Sequence, residues 1–114
     1  MNRMRRDETV IDLVQFRLAG GMNEETFLKL SDAAQTAFFE KADGHLGREL
    51  TKIKDGSWVD IIRWETAEKA DKASEEFSKN TDCLNLIHAC DISSMKIVRL
   101  EQMKLYEIAV SAGA

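Results

Sequence analysis

The sequence predicts an α+β fold: one antiparallel four-stranded sheet with its helices on one side, in the order β-α-β-β-α-β. Three observations carry that expectation. Two runs of strand character flank Asp55-Gly56, and Asp-Gly between alternating apolar runs is the strongest short-range hairpin signal. On either side of that hairpin lies a segment whose apolar residues recur at helical spacing. Near its two ends the chain carries runs rich in β-branched and apolar residues, Thr9–Leu18 and Ser94–Met103.

Each element follows in order. Thr9–Leu18 reads as a strand ended by Gly20-Gly21. Asn23 suits a helix N-cap, and Glu24 and Glu25 suit the positive end of the dipole. That helix is expected to run to about Ala42, with Phe27, Leu30, Ala34, Ala37 and Phe38 at helical spacing and Gly44 as its C-terminal cap. The hairpin occupies Gly44–Thr66. A type I′ turn at Asp55-Gly56 pairs Ile53 with Trp58, Thr51 with Asp60, Glu49 with Ile62 and Gly47 with Trp64. Thr66 caps a second helix whose inner stripe is Ala70, Ala73 and Phe77. Asn80-Thr81-Asp82 interrupts it before a short helix, Cys83–Ala89. Ser94–Met103 is the last strand, with Lys104–Val110 as a candidate extension. This order is the ferredoxin-like pattern. Residues 1–8 are expected to form a flexible arm, 9–110 a single domain and 111–114 a tail.

Composition narrows the functions. A chain of 114 residues, 44% hydrophobic and 32% charged, fits one globular domain. Its net charge of −4 argues against a nucleic-acid footprint, since Arg3, Arg5 and Arg6 are confined to the N-terminal arm. No apolar run has the length of a membrane span and the N-terminus lacks a signal-peptide core, so the expected location is cytoplasmic. Cys83 and Cys90 lie seven apart in a helical register, about 10 Å along the axis, too far for a disulfide. No Cys/His spacing suits zinc, and no cofactor or metal is expected.

Two strands are apolar on both sides. Val10, Val14 and Phe16 alternate with Ile11 and Leu13, and Trp58, Ile62 and Trp64 alternate with Val59 and Ile61. A strand apolar on both faces is buried on both, which one helical layer cannot achieve. The simplest cover for the second face is a second copy, so a homodimer through the sheet face is expected.

The predicted hairpin register gathers Glu49, Thr51, Trp58, Asp60 and Trp64 on one face, and Asp12 shares the parity of Phe16 on the first strand. Phe27 and Phe77 of the helices complete a candidate pocket for a small hydrophobic or aromatic ligand. Carboxylates desolvated among aromatic rings have raised pKa values and serve as general bases, so Asp60 and Asp12 are candidate catalytic residues, with His88 on the last helix as a third. The alternative is structural: the same acids pair with Arg17, Arg48, Arg63 or Arg99, or face solvent.

The stretches Phe16-Arg17-Leu18, Gly44-x-Leu46-Gly47-x-Glu49 and Trp58-Val59-Asp60-x-x-x-Trp64-Glu65 resemble the dimeric α+β barrel superfamily, in its antibiotic-biosynthesis-monooxygenase-like group. The resemblance covers about Val10–Met103. It implies a ferredoxin-like protomer, a dimer with its sheets forming a barrel, and one cavity per protomer. Members include cofactor-independent monooxygenases, isomerases and haem-degrading enzymes. In the haem-degrading branch the resemblance puts Phe16 where an Asn works, Phe77 nearest to a Trp, and His88 as the match to a His. Two departures in three count against haem degradation, and the same departures weigh on the quinol-oxidising members. Three functions therefore stand open: a cofactor-independent monooxygenase on an aromatic or quinol-like compound, a non-catalytic or stress-response dimer with an unidentified ligand, and a haem protein.

Overall fold

The computed structural model describes residues 8–108. Residues 1–7 of the arm expected at 1–8, the last two residues of the domain expected at 9–110, and the whole tail expected at 111–114 lie outside them. The elements are β1 (Val10–Leu18), α1 (Glu24–Ala37), a 3-10 turn (Phe39–Lys41), β2 (His45–Lys52), β3 (Trp58–Trp64), α2 (Ala67–Phe77), α3 (Thr81–His88) and β4 (Cys90–Glu101). The four antiparallel strands lie in the order β2-β3-β1-β4, with the helices on one face. This is the expected ferredoxin-like α+β fold. No described helix is long and apolar enough to cross a membrane.

Caps place the helices where short polar side chains stand. Asn23 Oδ1 accepts from Thr26 N at 2.8 Å, Thr66 Oγ1 from Lys69 N at 3.1 Å, and Asn80 Oδ1 from Cys83 N at 3.1 Å. Each satisfies one orphan N–H of a first turn. The Asn80 cap starts α3 two residues before the expected Cys83. The first helix ends at Ala37 rather than near Ala42: Phe38 leaves helical geometry and a 3-10 turn takes over. Gly44 then has φ +83°, and a Cβ there would run into the Lys69 side chain.

The hairpin departs from its predicted turn, with consequences for every side chain on β2. Ile53 N donates to Ser57 O at 2.7 Å and Gly56 N to Ile53 O at 2.9 Å, leaving a three-residue loop. Only Gly56 has a positive φ, +94°, so Asp55 is not in the left-handed conformation that a type I′ turn demands. Asp55 Oδ1 instead accepts from Ser57 N and Oγ at 2.9 and 2.6 Å, which favours the longer loop. The register shifts by one residue: Lys52 opposes Trp58, Leu50 opposes Asp60 and Arg48 opposes Ile62. A shift of one exchanges the two faces of a strand. Arg48 and Leu50 therefore face the helices, and Glu49 and Thr51 face away.

The last strand starts at Cys90, four residues before the expected Ser94, and ends at Glu101. Its register on β1 shifts between Gln15 and Arg17, where Arg17 N donates to Ser94 Oγ at 2.9 Å. A bulge of this kind lets one strand run past an irregularity without losing its pairing. The strand extension considered for Lys104–Val110 is absent from the described residues 104–108, and 109–110 lie outside them.

The core sits between sheet and helices, around Val10, Phe16, Phe27, Ala34, Trp58 and Trp64. Phe27 of α1 meets Phe16 and Trp58 edge-on, at centroid distances of 5.6 and 5.0 Å. Among the described residues no element packs over the other face of the sheet. Ile11, Leu13, Val59 and Ile61 lie half-buried there, and Val98 and Leu100 are 52% and 40% exposed.

Candidate functional site

A cavity of about 290 Å³ lies between the inner sheet face and the helices. Of the residues expected to form a pocket, Phe16, Phe27, Trp64 and Phe77 line it. Phe38 and Phe39 extend the aromatic wall; Phe38 meets Phe39 and Phe77 edge-on at 5.2 and 5.8 Å. From β4 come Cys90, Met95 and Ile97.

Two carboxylates interrupt this apolar lining. β1 pairs with β3 so that Val14 opposes Asp60 and Asp12 opposes Ile62. Asp12 and Asp60 are thus diagonal neighbours on one face, and both line the cavity. Each is held by an arginine. Arg48 Nε lies 3.1 Å from both Asp60 oxygens and Arg48 Nη2 lies 2.9 Å from Oδ2. The remaining Arg48 donors reach α1: Nη2 to Ser31 Oγ at 2.8 Å and Nη1 to Gln35 Oε1 at 3.3 Å, residues one helical turn apart. The guanidinium also lies 4.5 Å from the Phe39 ring centroid. The Arg48 and Asp60 side chains are only 5% and 10% exposed. Burial pushes the Asp60 carboxyl above the ordinary aspartate range, and Arg48 offsets that only in part.

The second pair closes the cavity on the β4 side. Arg99 donates to both Asp12 oxygens, from Nε at 2.8 Å and Nη2 at 3.1 Å, and from Nη1 to Asp71 of α2 at 2.7 Å. These bonds hold the Arg99 pKa above its ordinary value, so it is a fixed cation. The sequence left four arginines as partners for the acids. The structure selects Arg48 and Arg99; Arg17 instead meets Asp55 at 3.4 Å, and Arg63 is on the outer face.

Several expected residues stand elsewhere. Glu49 and Thr51 are on the outer face because of the register shift, and Thr51 Oγ1 donates to Val59 O at 2.8 Å. Trp58 is on the inner face but packs at the Phe27 end of the core, outside the cavity lining. His88 is exposed near the end of α3, while its neighbour Ile87 reaches the cavity.

His45, the first residue of β2, turns inward. Its ring lies between Phe39 and Trp64, at centroid distances of 5.6 and 5.1 Å, and its Nε2 is buried without a hydrogen bond. Burial lowers its pKa, Arg48 adding to that effect, while the Gly47 and Phe39 carbonyls and Asp60 oppose it. The signal for this placement was its position opposite Trp64, which the predicted register had assigned to Gly47. The two cysteines are not nucleophiles at neutral pH. Burial pushes the Cys83 and Cys90 thiols up to about 11, with Asp82 and Asp60 respectively adding to it. Among the described residues no three His, Cys, Asp or Glu side chains gather to hold a metal ion.

No family model and no curated protein matches the sequence. Solved structures do resemble it. SnoaB, a cofactor-independent oxygenase from Streptomyces nogalater, superposes with a TM-score of 0.68 at 17% identity, covering 86% of this chain and 96% of its own. A Bordetella bronchiseptica protein named as a candidate antibiotic biosynthesis monooxygenase gives 0.70 at 14% identity, covering 85% and 99%. Rv0793 from Mycobacterium tuberculosis gives 0.66 at 16% identity, covering 87% and 99%. At these identities the likeness establishes the fold, which is that of the antibiotic-biosynthesis-monooxygenase-like α+β proteins.

Two outcomes follow from the buried pair and its neighbour. Arg48→Met leaves Asp60 buried without its counter-ion and is expected to cost about 3–5 kcal/mol. Arg48→Met combined with Asp60→Leu is expected to cost much less than the sum of the two single changes, as read from a urea double-mutant cycle. His45 has a folded pKa below its unfolded value of 6.5, so the unfolded chain takes up this proton first on acidification. The His45 contribution is full above that value and is lost as pH falls towards the folded pKa. Unfolding midpoints measured between about pH 5 and 8 are expected to decline with acid more steeply in the unsubstituted chain than in His45→Phe.

Proposed function

We propose that this chain is a homodimer, joined through the outer sheet face, that binds a small aromatic or quinol-like molecule in the cavity and oxidises it as a cofactor-independent monooxygenase. The observation that carries this reading is an apolar cavity of about 290 Å³ with two carboxylates, Asp12 and Asp60, on its wall. The aromatic lining suits a flat ring. A carboxylate held by arginine keeps lone pairs free for a ligand hydroxyl. Burial raises the proton affinity of Asp60, which suits it to act as the base. The ligand hydroxyl gives its proton to Asp60, and the resulting anion adds dioxygen at a ring or methylene carbon. Asp60 returns the proton to the peroxide, and that hydroperoxide loses water together with the hydrogen on its carbon to leave a carbonyl, with one oxygen atom in the product and the other in water. The ligand's own electrons reduce the oxygen, and Asp12 with Arg99 orients the ring. The structural likeness to SnoaB, named as a cofactor-independent oxygenase, supports the same reaction class.

A second reading, a dimer that binds the ligand without turning it over, draws support from the arginines. Arg48 donates to both Asp60 oxygens and Arg99 to both Asp12 oxygens, so each carboxylate already spends lone pairs on a guanidinium and has fewer left to take a ligand proton. Haem binding through His88 has no such support: that side chain is exposed and outside the cavity lining.

Oxygen uptake with hydroquinones and hydroxynaphthalenes separates these readings. Turnover that drops by about 10²-fold in Asp60→Asn, with ligand affinity kept, is the expected result. Turnover unchanged in Asp60→Asn removes the proposed base, and binding with no uptake for any compound selects the second reading.

A further inference from the structure

A second hollow, of about 230 Å³, opens on the helical side of the protomer, between the end of α1 and one flank of α2. Its origin is local. The first helix stops at Ala37 because Phe38 leaves helical geometry, and the chain turns off through Phe39–Lys41 instead of running on beside α2. The residues left facing one another there are mostly small: Ala37, Ala42 and Ala73, with Phe38 as the one large apolar group. Phe38 and Ala73 also line the inner cavity, so the two hollows lie back to back across that wall.

The rim is charged. Lys69, Lys72 and Glu76 stand at i, i+3 and i+7 on one face of α2, and Lys41 and Asp43 come from the turn after α1. Lys69 is committed: its Nζ donates to Glu65 Oε1 at 2.8 Å and to Asp43 Oδ1 at 3.5 Å, and its stem fills the space where a Cβ on Gly44 would stand. Lys41, Lys72 and Glu76 form no ion pair among the described residues. With Asp43 matched to Lys69, the rim keeps two cations against one anion, an excess of one positive charge on a chain whose net charge is −4.

We propose that this hollow is a second binding site, for a small amphipathic carboxylate. Its apolar body lies on Phe38 and the alanines, where burying hydrocarbon is favourable, and its carboxylate sits between the Lys41 and Lys72 ammoniums. One surplus positive charge matches a monoanion, while a phosphate dianion or a polyanion would bring charge that Glu76 repels. The volume is below the about 300–1,000 Å³ of drug-sized pockets, which suits a short hydrocarbon chain or a single ring. This site makes no use of the reaction proposed for the inner cavity and does not depend on it.

The test uses the full chain with its alanine and isoleucine methyl groups labelled, titrated with octanoate and followed by nuclear magnetic resonance. Ala37 and Ala42 line only the outer hollow, and Ile87 and Ile97 only the inner cavity, so the methyl groups report which one fills. The expected result is a saturable shift at Ala37 and Ala42 with Ile87 and Ile97 unmoved, and no saturation with octanol, which has the same chain and no charge. Lys41→Gln with Lys72→Gln removes two exposed side chains that hold nothing in their own chain, and is expected to weaken the octanoate Kd by about fivefold or more. Glu76→Gln takes away the opposing charge and is expected to tighten it by about twofold. Octanol binding as well as octanoate, an unchanged Kd in the double lysine variant, shifts confined to Ile87 and Ile97, or no saturable shift at Ala37 and Ala42 would each overturn the site.

Discussion

The buried pair between Arg48 and Asp60 is the constraint on which the rest of the structure depends. It joins β2, β3 and α1 in one hydrogen-bonded cluster, because the guanidinium donates to Asp60, Ser31 and Gln35 at once. A charged pair this deep is costly to desolvate and is weak grounds for claiming net stability. Its effect is on which arrangement is adopted. Slipping β2 by one residue would put Glu49 on the inner face where Arg48 now stands, setting two carboxylates together and leaving Ser31 and Gln35 without their donor. The pair therefore selects the observed hairpin register, and with it every side chain on β2.

The same pair explains why one part of the site was legible in the sequence and another was not. Element order and the parity that Asp12 shares with Phe16 followed from periodicity; the pairing of β1 with β3 that makes Asp12 and Asp60 diagonal neighbours came from the structure. Phe16, Phe27, Trp64 and Phe77 followed from parity and helical spacing. The hairpin face did not, because Asp-Gly serves both a two-residue and a three-residue loop; the Ser57 bonds to Asp55 favour the longer loop, whose register the Arg48–Asp60 pair requires. One residue of register then moved Glu49 and Thr51 out of the site and Arg48 and His45 into the inner layer. His88 misled for a different reason: on a short helix, one position decides between Ile87 facing the cavity and His88 facing solvent.

The two faces of the sheet divide the labour. The inner face carries the cavity: apolar walls with a carboxylate at each arginine. Among the described residues the outer face carries no comparable polar cluster, and it presents β-branched residues and leucines over β1, β3 and β4. Asp12 and Leu13, or Asp60 and Ile61, are adjacent in sequence yet belong to different surfaces, which is the period-two logic of a strand. A change meant to probe assembly thus sits one residue away from a change that alters the cavity, and the face of each substitution decides what it reports.

The central claim is that the cavity behind Asp60 takes an aromatic ligand, and the two tryptophans test it directly. Trp64 lines the cavity and Trp58 does not. Titrating a hydroxynaphthalene into the labelled protein, and following both indole N–H resonances by nuclear magnetic resonance, reads each ring separately. The account predicts a saturable shift of Trp64 together with the Ile97 methyl groups, while Trp58 stays in place. Shifts confined to outer-face residues such as Ile61 and Val98, or no saturable shift at Trp64 with any compound of this class, would contradict it.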